Sequence, residues 1–273
     1  MHLHILTLNW NGEQKLKNLQ PRLFNNCNFL VSNGLIDDFT WHVKDNGSSD
    51  GSFEFLKDLK NSIVYKIGHN RDNFSKGVNF LSKESGFNAN DYLLLLNNDV
   101  VFNNSESLFD MVQLQLKTNS DIVGAKLNYL NSNIIQSCGT AFSNKYNKMP
   151  WHIFAGEKES SHHKQNRYFQ AVTAAVLLCT GRSFKEVYGL DENYFWAFED
   201  VDFCLKVNQI KPNNIAYCGT TNIFHEESAS LKKNPVNKMF LQQNVVYFKK
   251  KWENKYDLDF EKYELNKNYR LIK

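Results

Sequence analysis

The order of strand and helix patterns along the chain is the feature that most limits its fold. Over residues 1–125, short apolar runs alternate with segments whose apolar residues recur at helical spacing. The strand patterns are Leu3–Leu8, Phe39–Val43, Ser62–Ile67, Tyr92–Leu96 and a fifth that starts at Ile122. This alternation predicts parallel strands joined by right-handed helical crossovers. We therefore predict an α/β fold in which a mostly parallel central sheet is flanked by helices.

The alternation ends beyond residue 125. Residues 127–142 have the pattern of a hairpin that turns at residues 131–133. Residues 145–166 are polar, carry histidines and show no periodicity, so we predict a long loop there. The apolar spacing of residues 239–252 predicts a final amphipathic helix.

Composition excludes several classes of protein. The chain has 273 residues, 42% of them hydrophobic, which suits one large α/β domain. A net charge of +3 provides no strong electrostatic case for nucleic acid. The five cysteines form no CxxC pair and are odd in number, which predicts buried, reduced thiols in a cytosolic protein. The sequence has neither the order of a signal peptide nor the ~20 apolar residues of a membrane span. Lys249–Lys251 predicts a solvated helix end, with peripheral membrane contact as the alternative.

One polar triplet follows a fully apolar strand pattern. Asn97, Asn98 and Asp99 come directly after Tyr92–Leu96. In open α/β sheets, ligands bind at the carboxyl ends of strands. Carboxylate oxygens there are suited to Mg²⁺ or Mn²⁺, which in phosphate chemistry also bind substrate phosphates and water. A simple turn is the alternative interpretation of this triplet.

A second acidic cluster lies in an aromatic setting. Glu199, Asp200 and Asp202 follow the stretch 194–198 at the predicted start of a helix. Acidic residues are favoured there by the helix dipole alone. However, neighbouring side chains on a helix point in different directions, so these residues cannot all be caps. Trp196 and Phe198 would desolvate Asp200 and raise its pKa toward that of a useful general base.

Two further motifs have both a structural and a functional interpretation. Residues 45–51 form either a tight turn with a helix cap or a nucleotide pocket in which Asp45 accepts a hydrogen bond from the base. His225 follows a short strand and is either structural, the commoner role, or a metal or diphosphate ligand near Asp99. His162 and His163 lie in the polar segment, where we expect them to be solvated.

Taken together, these motifs resemble family 2 inverting glycosyltransferases, especially the rhamnosyltransferase-like members. The resemblance spans about residues 2–230. It is carried by residues 8–12, 45–52, 93–100, and 189–192 through 199–202, with weaker similarity at 70–79, at 124–139 and around His225, Ser228 and Ser230. It implies the A-type glycosyltransferase fold, a nucleoside-diphosphate-sugar donor and a divalent metal, Mn²⁺ or Mg²⁺.

The resemblance also implies roles for individual residues. Asp200 matches the family's catalytic base, and Asp99 matches the last acid of its DXD metal motif, with His225 as a second metal ligand. Asn97 replaces the first acid of that motif, and Lys76 stands where several members have glycine. The implied donor-binding residues are Thr7, Asn9, Asp45, Lys76, Asn79, Asn97 and Asn98. We predict the acceptor between the region of Trp196 and Glu199 and the polar loop of residues 145–166.

The resulting prediction is a metal-dependent inverting hexosyl- or deoxyhexosyltransferase. Its acceptor hydroxyl would belong to a glycan, a lipid-linked molecule or a protein, in the cytoplasm or at the inner face of a membrane. The single domain would comprise a nucleotide-binding half (1–125), an acceptor-side half (126–235) and a C-terminal helical segment (236–273). One alternative is a nucleotidyltransferase, although residues 9–12 lack its glycine-rich basic loop. Another is a non-catalytic carbohydrate-binding relic, which the change at Asn97 favours.

Overall fold

The computed structural model describes residues 1–66, 72–195, 197–226 and 235–273. The strands are β1 (His2–Asn9), β2 (Asp38–Asp45), β3 (Ser62–Lys66), β4 (Tyr92–Leu96), β5 (Val100–Phe102), β6 (Ile122–Tyr129), β7 (Ile135–Ser137), β8 (Thr140–Phe142), β9 (Pro150–His152), β10 (Arg167–Tyr168), β11 (Val176–Thr180) and β12 (Ile215–His225). The helices are α1 (Glu13–Ser32), α2 (Ser52–Leu56), α3 (Phe74–Ser85), α4 (Ser107–Thr118), α5 (Gly181–Glu186), α6 (Glu199–Ile210), α7 (Pro235–Trp252) and α8 (Phe260–Leu265).

Most strands join one central sheet in the order β10-β12-β6-β11-β4-β1-β2-β3. The pairs β1–β2, β1–β4, β2–β3 and β6–β12 are parallel, whereas β11 runs antiparallel between β4 and β6. Strand β11 thus separates β4 from β6 in the sheet, a position that the order of elements along the chain does not reveal. The prediction of a mostly parallel central sheet flanked by helices is confirmed.

Strand β4 shows why the apolar runs are continuous. All five of its residues are buried. Successive side chains of a strand point to opposite faces. Leu94 and Leu96 therefore join the cluster beneath α1 and α4, while Leu93 and Leu95 join the cluster beneath α3, α6 and α7. A strand covered by helices on both faces needs apolar residues at every position.

Two sequence predictions differ from the structure. The segment 145–166, predicted as a long loop, contains β9 and a 3₁₀ helix at Ser161–Lys164. Ile153 is buried there in a cluster with Phe260 of α8. His163 is buried and not solvated. These contacts join parts of the chain about a hundred residues apart, so local pattern does not predict them.

The remaining sequence expectations concern cysteines, lysines and membranes. All five cysteines are buried and free, as expected. Lys251 is not part of a fully solvated helix end, because its Nζ lies 2.5 Å from Asp191 Oδ2 and 2.7 Å from Asp202 Oδ1. Among the described residues, we find no helix that combines the length and the apolar character of a membrane span.

Candidate active site

The carboxyl ends of β1, β2 and β4 meet at one edge of the sheet. Asn9 pairs with Asp45 in the strand register, and its Nδ2 donates to Asp45 Oδ2 at 3.1 Å. Asn98 Nδ2, beyond β4, donates to Asn9 Oδ1 at 2.9 Å. Asp45 Oδ1 also accepts from the backbone N–H of Ser48 at 2.8 Å. Because Asp45 is fully buried, it holds the strand end and the loop that follows rather than projecting into open space.

The other predicted donor-binding residues lie in different environments. Thr7 is buried in the sheet, where its hydroxyl accepts from the Trp41 indole at 2.9 Å. Asn79 bonds both backbone groups of Leu190 at 2.9 Å and thereby anchors the loop that precedes the second acidic cluster. Lys76 is exposed on the first turn of α3. The structure therefore brings Asn9, Asp45 and residues 97–99 together. Thr7, Asn79 and Lys76 lie elsewhere.

Asp99 lies between two basic side chains. Its Oδ2 is 3.3 Å from Lys15 Nζ, which is also 3.1 Å from Glu226 Oε2. Its Oδ1 is 3.1 Å from His225 Nε2, yet this buried oxygen makes no hydrogen bond with any described residue. Burial favours the neutral acid, but the interactions with His225 and Lys15 outweigh burial and lower the pKa of Asp99. Asp99 is therefore an ionised carboxylate with one unused oxygen.

Gln136 determines which nitrogen of His225 carries a proton. The Gln136 Nε2 donates to the His225 backbone oxygen at 3.3 Å, so its Oε1 faces His225 Nδ1 at 2.8 Å. An amide oxygen can only accept, so Nδ1 must carry the proton. In the neutral ring, Nε2 then carries a lone pair that accepts from Asn97 Nδ2 at 3.2 Å, whereas in the protonated ring the Nε2–H points at Asp99 Oδ1.

This arrangement fits a divalent metal. Two ligand atoms 3.1 Å apart can share one cation with metal–ligand bonds of about 2.1 Å. Asp99 and His225 would hold it, and the Nδ1–H bond to Gln136 is the outer contact that orients a metal-binding histidine. The amide of Asn97 also lies 3.2 Å from His225 Nε2. The sequence-predicted pairing of Asp99 with His225 is thus present as a close approach.

A second group of potential metal ligands, Glu157, His162 and His163, does not fit a metal. Their ligand atoms lie within 4.8 Å of one another. However, His163 Nδ1 accepts from the Ser160 backbone N–H at 2.9 Å, which puts the ring proton on Nε2. That proton is directed at Glu157 Oε2, 3.2 Å away. The group is therefore a hydrogen-bonded cluster.

Asp200 enters the site through a constrained turn. Ala197 and Phe198, just before α6, have φ values of 67° and 74°, in the left-handed region that residues other than glycine rarely occupy. Asp200 Oδ2 accepts from the Ala174 backbone N–H at 3.0 Å. The next residue, Ala175, accepts from the Asn97 backbone N–H at 3.0 Å. Two consecutive residues before β11 therefore hold both Asp200 and the Asn97–Asp99 motif.

The other two acids of this cluster differ from Asp200. Burial, followed by the charge of Asp200, raises the pKa of Glu199 well above its usual range, so Glu199 is protonated at neutral pH. Its Oε2 is buried without a hydrogen-bond partner among the described residues. Asp202 Oδ1 instead accepts from Trp252 Nε1 at 2.7 Å and Tyr194 OH at 3.1 Å. Asp202 therefore joins α6 to α7.

Asp200 and His225 line the same cavity, which has a volume of about 480 Å³. Asp200 and Glu199 line one side of it, His225 and Gln136 line another, and Trp151 of β9 contributes an aromatic surface. Trp196, predicted on the acceptor side, lies outside the described residues. Sequence reasoning missed Lys15, Gln136, Trp151 and Glu226. None belongs to a recognisable motif, and only the fold brings them to the site.

Comparison with known proteins was made for sequence and for structure. No protein-family model matches the chain. An uncharacterized protein, y4gI of Sinorhizobium fredii (strain NBRC 101917 / NGR234), is 30% identical over 169 residues. The match covers 60% of this chain but only 18% of that protein, so the chain spans less than a fifth of this relative.

Solved structures share the fold over nearly the whole chain. S. aureus TarS 1-349 in complex with UDP-GlcNAc has a TM-score of 0.61 at 15% identity, covering 98% of this chain and 73% of that one. GalNAc-T7 with UDP, GalNAc and Mn²⁺ has a TM-score of 0.65 at 11% identity, covering 98% and 54%. The mannosyltransferase PcManGT from Pyrobaculum calidifontis, with GDP-Man and Mn²⁺, has a TM-score of 0.59 at 10% identity, covering 92% and 64%. The chain has the A-type glycosyltransferase fold.

Proposed function

We propose that this protein is a glycosyltransferase that moves a sugar from a nucleoside diphosphate to a hydroxyl acceptor with inversion. The observation that carries the proposal is the shared cavity, which Asp200 and His225 both line, with Asp99 next to His225. The fold supports it, because structures of that fold have been solved with UDP-GlcNAc, or with GDP-Man and Mn²⁺. A base and a metal-binding pair at one cavity are the groups that such a transfer needs.

Asp200 acts as the general base in this proposal. It accepts the proton of an acceptor hydroxyl as that oxygen attacks the anomeric carbon from the face opposite the diphosphate. The bond from that carbon to the diphosphate oxygen breaks, and its electron pair leaves with the diphosphate. The backbone N–H of Ala174 holds the carboxylate in place. Glu199 remains protonated, because the burial of its carboxyl group and the neighbouring charge of Asp200 both raise its pKa.

The donor diphosphate would lie at the Asp99 end of the site. Asp99 and His225 would hold a divalent metal, which when bound neutralises charge on the departing diphosphate. Lys15 adds a fixed positive charge at the same place, next to Asp99 and Glu226. Asn98 would lie in the wall of the nucleoside pocket within the nucleotide-binding half, residues 1–125, and the buried Asn9 and Asp45 would hold it from behind. The loss of the first DXD acid at Asn97 is offset by His225.

The donor is tested with a panel of nucleotide sugars. The panel includes UDP-GlcNAc, GDP-mannose and, because of the rhamnosyltransferase-like motifs, a dTDP-deoxyhexose. We expect one of them to be bound and slowly hydrolysed without acceptor, with hydrolysis lost in chelator and restored by Mn²⁺ or Mg²⁺. Failure to bind or hydrolyse any nucleotide sugar would refute the function. Full hydrolysis in excess chelator would show that the reaction does not need a metal.

The base is tested by Asp200→Asn, which keeps the shape of the side chain but removes its basicity. A positioned general base contributes about 10²–10⁴-fold, so transfer should fall at least a hundredfold while donor affinity is unchanged. The matched control is Asp202→Asn, which should lower the unfolding midpoint with a smaller effect on turnover. Equal losses of donor binding and turnover in Asp200→Asn would make the residue a donor contact.

A further inference from the structure

Trp151 presents a flat aromatic surface to the cavity that contains Asp200. Its side chain is 50% exposed, although tryptophan is normally well buried. One ring face packs on Tyr146, with centroids 4.7 Å apart and an interplanar angle of 14°. Tyr146 in turn packs edge-on against Phe260 at 5.2 Å. The ring is therefore supported from behind, and its other face is available to a ligand.

The short sheet β8–β9 holds Trp151 in place. Trp151 pairs with Ala141 in the antiparallel register, and Ile153, two residues further on, is fully buried. Phe142 of β8 stacks on Tyr256 at 4.0 Å, which anchors the hairpin to the C-terminal part of the chain. Trp151 is thus held on a packed element and not on a loose loop.

The charges of the cavity restrict what can lie on Trp151. No described residue lining the cavity is lysine or arginine, whereas Glu199 and Asp200 both line it. Lys15 lies instead with Asp99 and Glu226, at the donor end. An acceptor that carries phosphate near its reacting hydroxyl would place that charge beside the Asp200 carboxylate, with no lysine or arginine among the described residues of the cavity lining. An uncharged ring with an apolar face and polar edges suits both Trp151 and the polar groups around it.

We infer that Trp151 is a stacking platform for an uncharged sugar, and that the acceptor hydroxyl belongs to a neutral glycan residue. The inference rests on the proposed function. The apolar face of a pyranose ring would pack on the indole, and one ring hydroxyl would point at Asp200. Trp151 would then select the acceptor, while the donor is held at the Asp99 end.

The test uses neutral p-nitrophenyl hexosides and their 6-phosphates as acceptor probes, with the donor found in the nucleotide-sugar panel. Loss of a buried aromatic contact at a binding hot spot should raise the acceptor KM at least about tenfold in Trp151→Ala. Donor hydrolysis without acceptor should be unchanged, and Trp151→Phe should recover part of the acceptor affinity. Tyr188→Ala is the control, because Tyr188 is an exposed aromatic residue that is not among the residues lining the cavity.

Each outcome bears on one proposal in particular. Donor hydrolysis that survives in Trp151→Ala while transfer to neutral hexosides falls supports the platform. Equal acceptor KM in the variant and the wild type overturns it, as does preference for the 6-phosphates or absence of transfer to every neutral hexoside. All three of those results leave the donor chemistry standing. Absence of any donor binding or hydrolysis in the wild type overturns the proposed function itself.

Discussion

At the scale of single residues, the site depends on side chains that hold other side chains. His225 would be free to rotate without Gln136, which bonds both its ring Nδ1 and its backbone oxygen. Gln136 is 6% exposed and belongs to β7, the second strand of the hairpin predicted for residues 127–142. We assign Gln136 the positioning of His225 toward Asp99.

Gln136→Ala should therefore weaken metal binding. Removal of an outer contact to a metal-binding histidine typically costs about 10–100-fold in metal affinity. The measurement is the Kd of Mn²⁺ by electron paramagnetic resonance, in the presence of a nucleoside diphosphate. Gln136→Glu, which keeps the acceptor oxygen, should restore most of the affinity.

Gln170→Ala is the control for this prediction. Gln170 is buried like Gln136, but its amide bonds the backbone of Asp257 at 2.9 and 2.8 Å. Its substitution should lower stability and leave the Kd of Mn²⁺ unchanged. Equal Mn²⁺ affinity in Gln136→Ala and the wild type would show that His225 needs no such support, or does not bind metal.

At the scale of elements, helix α7 holds the strained turn that delivers Asp200. Asn244 is 2% exposed, and its Nδ2 donates to the Ala197 backbone oxygen at 3.2 Å. Its Oδ1 accepts from the Phe195 backbone N–H at 3.4 Å. Left-handed residues such as Ala197 cost about 1–2 kcal/mol each, so the turn persists only if its surroundings hold it.

Asn244→Ala should consequently impair turnover more than donor binding. A small displacement of a catalytic group can cost on the order of a hundredfold in rate, so we expect kcat to fall roughly ten- to a hundredfold. Donor affinity, measured by calorimetry, should be unchanged because the proposed function places the donor at the Asp99 end. Gln243→Ala, on the exposed face of the same helix, should have no effect. Unchanged kcat in a folded Asn244→Ala protein would mean that the turn keeps its shape unaided.

At the scale of the whole molecule, two buried histidines couple the stability of the sheet to pH. His4 of β1 and His42 of β2 are adjacent, with Nδ1 and Nε2 3.2 Å apart. Burial, followed by the charge of neighbouring histidines, lowers the pKa of each to about 4. The unfolded chain binds these protons near the ordinary histidine pKa of about 6.5. Their contribution to stability is therefore complete above that pH and is lost as pH falls toward 4.

The free energy of unfolding should thus decrease as the solution is acidified. His42 alone should account for roughly 2 kcal/mol between pH 7 and pH 5. Urea denaturation at several pH values measures this slope, and His42→Phe, which keeps an aromatic ring beside Tyr65, should reduce it. An identical slope in both proteins would mean that His42 is protonated without cost in the folded state.

The architecture could be predicted from local patterns because its signals are short in range. The continuous apolar run at Tyr92–Leu96 marks a strand covered on both faces, and the alternation before Ile122 marks parallel crossovers. The polar residues after β1, β2 and β4 could be assigned to one edge, since parallel strands end on the same side. The same reasoning predicts Asp99 and Asp200 as site residues, because they follow or precede recognisable elements.

The assembly of the site depends on contacts that no local pattern encodes. Strand β11 inserts antiparallel between β4 and β6, and the residues just before it bring Asp200 to the Asn97–Asp99 motif. Gln136 and Lys15 reach the site only because β7 and α1 pack beside it. The polar segment 145–166 looked unstructured because its apolar partners, such as Phe260, lie far along the chain. Patterning reports which face of an element is buried, whereas the partner of each polar side chain is decided by long-range packing.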